Sequence, residues 1–463
     1  MEAEPRIQPL SSTESLCPVC LRRLQAAREQ QGDTVYLVKR CGEHGTTRTS
    51  IWRGPIPFSS WLRPKNPSSP RQALTEIRDG CPFDCGLCPG HGQHTCTALL
   101  EITGRCNLRC PVCFADAGES DADPSLAQIG GWYDRVMAAS GPCNIQLSGG
   151  EPTMRPDLGR IVRLGRDKGF DFIQLNTNGL LLAERPQLAG ELRQAGLASV
   201  FLQFDGLSAA THLALRGRDL RADKESAIRR CVEAGLAVVL VPTLVPGINT
   251  GEIGAIIEYG LGFAPTVRGV HFQPISYFGR YPQPPADADR LTLPEVLSLI
   301  EAQTAGAVRV EHFAPPACEH ALCSFHGNFL IDGQGRLAPL GQPPACCSTG
   351  EAQACLPSAL EGREKSVRYT ARQWSLPMAE PACACNGEPA VPKDDFDRFL
   401  ARARTHTFSL SAMAFQDVWN IDLERLRGCC IHVVSPAGRL VPFCAYNLTS
   451  NLGRPLHRRA RAA

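Results

Sequence analysis

The chain has 463 residues, a formal net charge of +2 and 43% hydrophobic residues. That balance excludes a disordered chain and an overall basic field for nucleic acid, and the length allows two to four domains with a large core. The 22 cysteines stay below the roughly 8–10% of a disulfide scaffold and are grouped, so they read as metal ligands in the reducing cytosol.

The opening residues, MEAEPRIQPLSSTES, hold no apolar run of a secretory signal, and no stretch approaches the roughly 18 apolar residues of a membrane span. Cys17-Pro-Val-Cys20 is followed by Cys41-Gly-Glu-His44. Two chelating pairs joined by a hairpin make a tetrahedral Cys3His site for zinc or mononuclear iron. Tyr36 to Arg40 reads as the strand feeding the second pair, and residues 1–60 as a small rubredoxin-like or zinc-knuckle domain. In segment 61–97, Cys81, Cys85, Cys88 and Cys96 can complete a 4Fe–4S cubane by themselves, with zinc as the competing reading. His91 and His94 stand among them as neighbours of the ligands rather than ligands.

From residue 98 to about 275, apolar runs alternate with helical patterns, within a core domain expected at 98–300. The runs are 98–103, 144–148, 172–177, 199–204, 237–243 and 269–273. Their spacing fits one strand and one crossover helix each time. Pro156 to Lys168 and Lys224 to Ala234 carry apolar stripes of helical period, and Gly169, Gly196 and Gly235 read as C-terminal caps. Six such units give a parallel α/β sheet, either barrel-like or doubly wound.

Just after the first strand stands Cys106-Asn-Leu-Arg-Cys110-Pro-Val-Cys113. Three thiolates on a four-iron cluster leave one iron open, as a catalytic site requires; a fragment of a zinc knuckle or ferredoxin-type site is the alternative. This spacing resembles the signature of the radical SAM enzymes. The resemblance implies a partial (β/α)6 TIM-type barrel, with S-adenosylmethionine (SAM) held on the open iron and cleaved to a 5′-deoxyadenosyl radical. Further matches follow: Gly149, Gly150, Glu151 and Pro152 after the second strand resemble the GGEP motif that contacts the SAM methionine. Asn176 and Asn178 end the third strand where the family binds SAM. Gln203 and Asp205 end the fourth, the carboxylate placed for the ribose, with Arg216 expected on the SAM carboxylate. Val245 to Asn249 looks like the adenine-side segment, while Val112 and Phe114 depart from the family's usual aromatic before the third cysteine.

The flanks narrow the resemblance. The N-terminal knuckle, GCPFDCGLCPGHGQHTC, CNLRCPVCFA, and the C-terminal residues Met413 to Arg425, Cys429, Cys430, His432 and Cys444 together resemble the archaeal tetraether lipid synthases and their bacterial relatives. That implies a second auxiliary 4Fe–4S cluster in region 301–463, with Cys318, Cys323, Cys430 and Cys444 as ligands and at most one of Cys429 and Cys430 used. Cys346, Cys347, Cys355, Cys383 and Cys385 lie in a loop-like insert and receive no role.

The resemblance implies activation of an unactivated C–H bond for coupling of lipid alkyl chains. The alternative is radical methylation of a pterin or other small molecule. Cofactors would be the SAM-binding cluster, one or two auxiliary clusters, SAM and one mononuclear metal. A flavodoxin or ferredoxin would supply electrons, and the enzyme would be cytoplasmic, peripheral to the membrane for a lipid substrate. His271, Tyr277, Arg280 and Tyr281 follow the sixth strand as substrate-facing candidates. A distant reading is a non-catalytic metal protein touching nucleic acid through Arg454, Arg458, Arg459 and Arg461. The SAM-side motifs speak against it.

Overall fold

The computed structural model describes residues 7–118, 122–341, 358–376 and 402–458. Residues 8–53 form an antiparallel ribbon in chain order: β1 (Gln8–Leu16), β2 (Arg23–Gln31), β3 (Thr34–Cys41) and β4 (Gly45–Arg53). In β3, Val35, Leu37, Lys39 and Cys41 point inward with the period of two that a half-covered strand requires. The strand expected at Tyr36–Arg40 is the middle of β3. Arg28 ties the ribbon to the C-terminal region by a buried ion pair with Asp422.

The larger sheet contains β5 (Thr97–Thr103), β6 (Asn144–Gly149), β7 (Ile173–Thr177), β8 (Ser199–Gln203), β9 (Ala237–Val241) and β11 (Val267–Pro274). These six run parallel, each beside its chain neighbour, while the short β10 (Thr243–Leu244) pairs with the end of β11. All six expected strands are present. The order has no reversal point, which sets aside the doubly wound alternative. β9 is buried throughout, as a parallel strand covered on both faces must be.

The helices between them are α2 (Leu126–Ser140), α3 (Leu158–Asp167), α4 (Leu180–Glu184), α5 (Leu188–Gln194), α6 (Ala209–Arg216), α7 (Arg221–Ala234) and α8 (Ile253–Leu261), after a short α1 (Phe58–Trp61). α3 buries Leu158, Ile161 and Val162 at helical period against the sheet. Gly169, Gly196 and Gly235 follow α3, α5 and α7 with φ of 90°, 98° and 61°, conformations that a Cβ disfavours.

The described residues beyond 301 join the larger sheet at both of its ends. β14 (Thr407–Met413) adds parallel to β11, and β12 (Ser324–Ile331) and β13 (Leu337–Pro339) extend that end. At the other end β15 (Ile431–Val434) adds parallel to β5 and carries β16 (Leu440–Pro442). α9 (Leu293–Gln303) precedes them, packed on α8 and β4. α10 (Ala359–Trp374) lies against the starts of the parallel strands. There Arg363 donates to Thr95 O at 2.9 Å and Arg268 donates to Gln373 O at 3.0 Å. No described helix is long and apolar enough to cross a membrane.

Candidate active site

At the C-terminal ends of the parallel strands, the cysteine loop and the strand ends line one cavity of about 490 Å³. Its wall includes Cys106, Cys110, Cys113, Gly149, Gly150, Glu151, Asn176, Asn178, Gln203 and Arg216, ten of the expected site residues. The backbone N–H of Leu108 points at Cys106 Sγ and that of Ala117 at Cys113 Sγ, each at 3.4 Å. Such donors stabilise thiolate ligands. Burial, with smaller contributions from Glu151, Cys110 and Cys113, pushes the Cys106 thiol up to about 11, so a cation beside it would favour the thiolate. The donor set therefore fits a three-cysteine cluster.

Several side chains expected on SAM are already engaged. Glu151 accepts from Thr153 N (3.0 Å), Thr177 Oγ1 (2.7 Å) and Asn178 N (2.7 Å), which ties the second strand end to the third. The two glycines before it allow backbone to meet backbone. A Cβ on Gly149 would lie 2.1 Å from Thr103 O, and one on Gly150 2.0 Å from Arg105 O. Asn178 donates to Asn107 in the cysteine loop at 2.7 Å.

Asp205 is fully buried and holds Arg216 through two hydrogen bonds of 2.7 and 2.6 Å. Arg216 also donates to Val112 O and Thr243 Oγ1, both at 3.1 Å. Each is thus the other's partner, because an unpaired charge at that depth is costly, while Arg216 still lines the cavity. Asn249 is likewise consumed, donating to Asp205 O and Thr243 O, and no residue of 245–249 lines the cavity.

Of the four substrate-facing candidates, only His271 lines the cavity. Tyr277 is buried with its hydroxyl on Asp289 O, and Tyr281 packs on Tyr277 and Trp419. Arg280 clamps the cysteine loop: its side chain donates to Cys110 O and Ala117 O at 2.9 Å, and its backbone exchanges two hydrogen bonds with Cys113. Only the closeness of Arg280 to a strand end hinted at this.

Two further cysteine groups lie outside the loop. Cys17, Cys20, Cys41 and His44 have all ligand atoms within 4.8 Å of one another, suited to one metal ion. The His44 hydrogen bond pulls the Cys41 thiol down to about 6. The second group corrects the expected auxiliary site. Cys96 does not join Cys81, Cys85 and Cys88; it meets Cys318 and Cys430, all three buried and within 4.8 Å. The reason is strand pairing: β15 lies beside β5, so the residues just before each, 430 and 96, are neighbours. Cys323 and Cys444 are not in this group, accepting instead from Arg425 and Gln416 N. Cys81, Cys85 and Cys88 share a small cleft with His91, whose ring contacts Cys429 O at 2.7 Å. Cys346, Cys347, Cys355, Cys383 and Cys385 lie outside the described residues.

Within the basic tail, Arg458 is engaged. Arg458 donates to both oxygens of Glu101 and covers the Tyr446 ring, while Arg459 and Arg461 lie outside the described residues.

Residues 100–260 match the radical SAM superfamily, and residues 9–53 match the HMPTM N-terminal zinc ribbon domain. The 7,8-dihydro-6-hydroxymethylpterin dimethyltransferase of Methanocaldococcus jannaschii is 33% identical over 94% of this chain and 93% of its own length. A probable GTP 3′,8-cyclase of Methanothermobacter thermautotrophicus is 33% identical over 36% of this chain and 55% of its own. Among solved structures, Streptococcus suis SuiB aligns over 46% of each chain at 15% identity, with a TM-score of 0.38. With a relative matching along nearly its whole length and a cysteine loop that fits the cluster, the chain belongs to the radical SAM superfamily and is a radical SAM enzyme of the pterin dimethyltransferase's family.

Proposed function

We propose that this enzyme is a radical SAM methyltransferase acting on a small reduced pterin. The observation that carries this is the 33% identity to a pterin dimethyltransferase along 94% of the chain. It favours methylation over the lipid coupling implied by the tetraether synthase resemblance.

In this reading the six parallel strands form a partial (β/α)6 barrel, and Cys106, Cys110 and Cys113 hold a 4Fe–4S cluster at its mouth. When bound, that cluster supplies the electron that cleaves SAM to methionine and a 5′-deoxyadenosyl radical. The chain's own residues fix the geometry. Arg280 and Asn178 hold the cysteine loop, the Glu151 carboxylate locks the loop after β6, and the Asp205–Arg216 pair sets the wall beside Val112. Cys96, Cys318 and Cys430 offer a further thiolate set, and Cys81, Cys85 and Cys88 another. The ribbon takes one zinc or iron. An external flavodoxin or ferredoxin is the electron donor.

The cavity also speaks for a compact substrate. Gln146, Asn176, Gln273 and Ser411 line it, and α10 crosses the strand starts. A long alkyl chain would leave the Asn176 side-chain oxygen, which has no hydrogen-bond partner, against hydrocarbon at roughly 1–3 kcal/mol.

The test is anaerobic reconstitution with SAM, a strong reductant and 7,8-dihydro-6-hydroxymethylpterin. The expected result is 5′-deoxyadenosine together with a pterin heavier by one or two methyl groups. S-adenosylhomocysteine formed in step marks SAM as the methyl donor. Changing Cys106, Cys110 and Cys113 together to Ala abolishes both products while iron at the other sites stays. Deoxyadenosine formed without any methylated pterin, and joined alkyl chains from a lipid substrate, would overturn the proposal.

A further inference from the structure

Inside the barrel, below the cysteine loop, three rings meet. Phe201 of β8 and His271 of β11 stand 5.3 Å apart, centroid to centroid. Trp374, the last residue of α10, lies 5.3 Å from Phe201 and 5.6 Å from His271. All three line the cavity that the cysteine loop also lines.

Two of the rings are fixed from behind. Trp374 is placed by α10, which Arg268 anchors through Gln373 O one residue earlier. Arg268 itself is fully buried and also donates to Thr405 O and to Thr407 Oγ1 at 2.6 Å. His271 contacts Ser411 Oγ through Nδ1 at 2.8 Å, so Nε2 is the ring atom left for a ligand. Burial lowers the His271 pKa to about 4, which keeps the ring neutral near pH 7 and able to stack.

Beside Phe201 stands a row of amides, Asn176 of β7 being its register partner on the neighbouring strand. Gln146 donates to Gln174 at 2.9 Å and accepts from Asn176 Nδ2 at 3.4 Å. The Asn176 side-chain oxygen is buried and has no hydrogen-bond partner. A buried acceptor in that condition is costly until a donor reaches it. Aromatic rings with amide edges beside them match a flat ring system with N–H groups on its rim.

We propose that Phe201, His271 and Trp374 form the substrate subsite, which takes a planar nitrogen heterocycle by stacking, with Asn176 Oδ1 accepting from a ring N–H or amino group. This rests on the pterin methylation reading and names the residues that would hold its substrate. Trp374 and Asn176 are positioning and specificity residues here, and their loss acts on affinity for the heterocycle.

Equilibrium binding of 7,8-dihydro-6-hydroxymethylpterin to the anaerobic holoenzyme tests this, with no reductant present. Trp374→Ala is expected to weaken binding about tenfold, and Trp374→Phe to recover most of the loss. Asn176→Leu is expected to weaken it about tenfold as well. Iron per chain, measured on every variant, reports correct folding, and Trp374→Phe serves if the Ala variant loses iron. Unchanged affinity in iron-replete Trp374→Ala and Asn176→Leu would overturn the subsite and leave the methylation reading standing. A wild-type holoenzyme that binds SAM but not the pterin would overturn both.

Discussion

The ribbon site and the Cys96–Cys318–Cys430 group are built from the same side chains by opposite routes. Cys17, Cys20, Cys41 and His44 come from turns joined by β2 and β3, so their positions follow from local hairpin geometry. Cys96 and Cys430 are 334 residues apart and meet only because β15 pairs with β5. Local spacing therefore identifies a site of the first kind. For the second kind it gives the right residues and the wrong partners.

That contrast can be broken by metal analysis. The largest effect is expected when Cys96 or Cys430 is changed to Ser. Each should lose the same metal, and the double variant no more than either single one. Cys85→Ser should leave that metal in place. If Cys96→Ser and Cys85→Ser release one common cluster, the grouping by strand pairing is wrong. Next, Cys17→Ser with Cys20→Ser should release one metal ion per chain and lower the melting temperature, since structural metal binding is coupled to folding. Loss of several irons would show that the ribbon site is not independent.

A third test concerns the Asp205–Arg216 pair, a short-range contact between the end of β8 and the end of α6. Burial raises the Asp205 pKa, but Arg216 beside it outweighs this and holds the carboxyl below its ordinary value. A depressed carboxylate contributes stability that is complete above the unfolded pKa, near 3.9, and is lost as pH falls through the lower folded value. Asp205→Asn should destabilise the protein by about 3–5 kcal/mol and flatten this acid limb of a stability–pH curve. An unchanged acid limb would remove Asp205 from that role.

Much of the parallel sheet was legible because each strand is a short apolar run followed by a helical stripe. The run at 237–243 becomes β9 and the start of β10, and Gly235 caps α7 as its position suggests. The cysteine loop and the residues around the cavity were legible for the same reason. Side-chain roles were less so. Glu151 and Asp205 look like ligand-binding carboxylates in a sequence, and only coordinates show their oxygens taken by Thr177, Asn178 and Arg216. Arg280 was placed near substrate but holds the Cys110 and Ala117 carbonyls. Trp374 was missed altogether, because nothing in its local sequence says that α10 lies across strands made 100 or more residues earlier.

The pairing of β15 with β5 also sets a timetable. During synthesis the ribbon has all four of its ligands once residue 44 is made. Cys96 waits a further 334 residues for Cys430, roughly 17–67 s at ordinary elongation rates. The two sites thus gain their last side chains at different moments in the synthesis of the chain, the ribbon first.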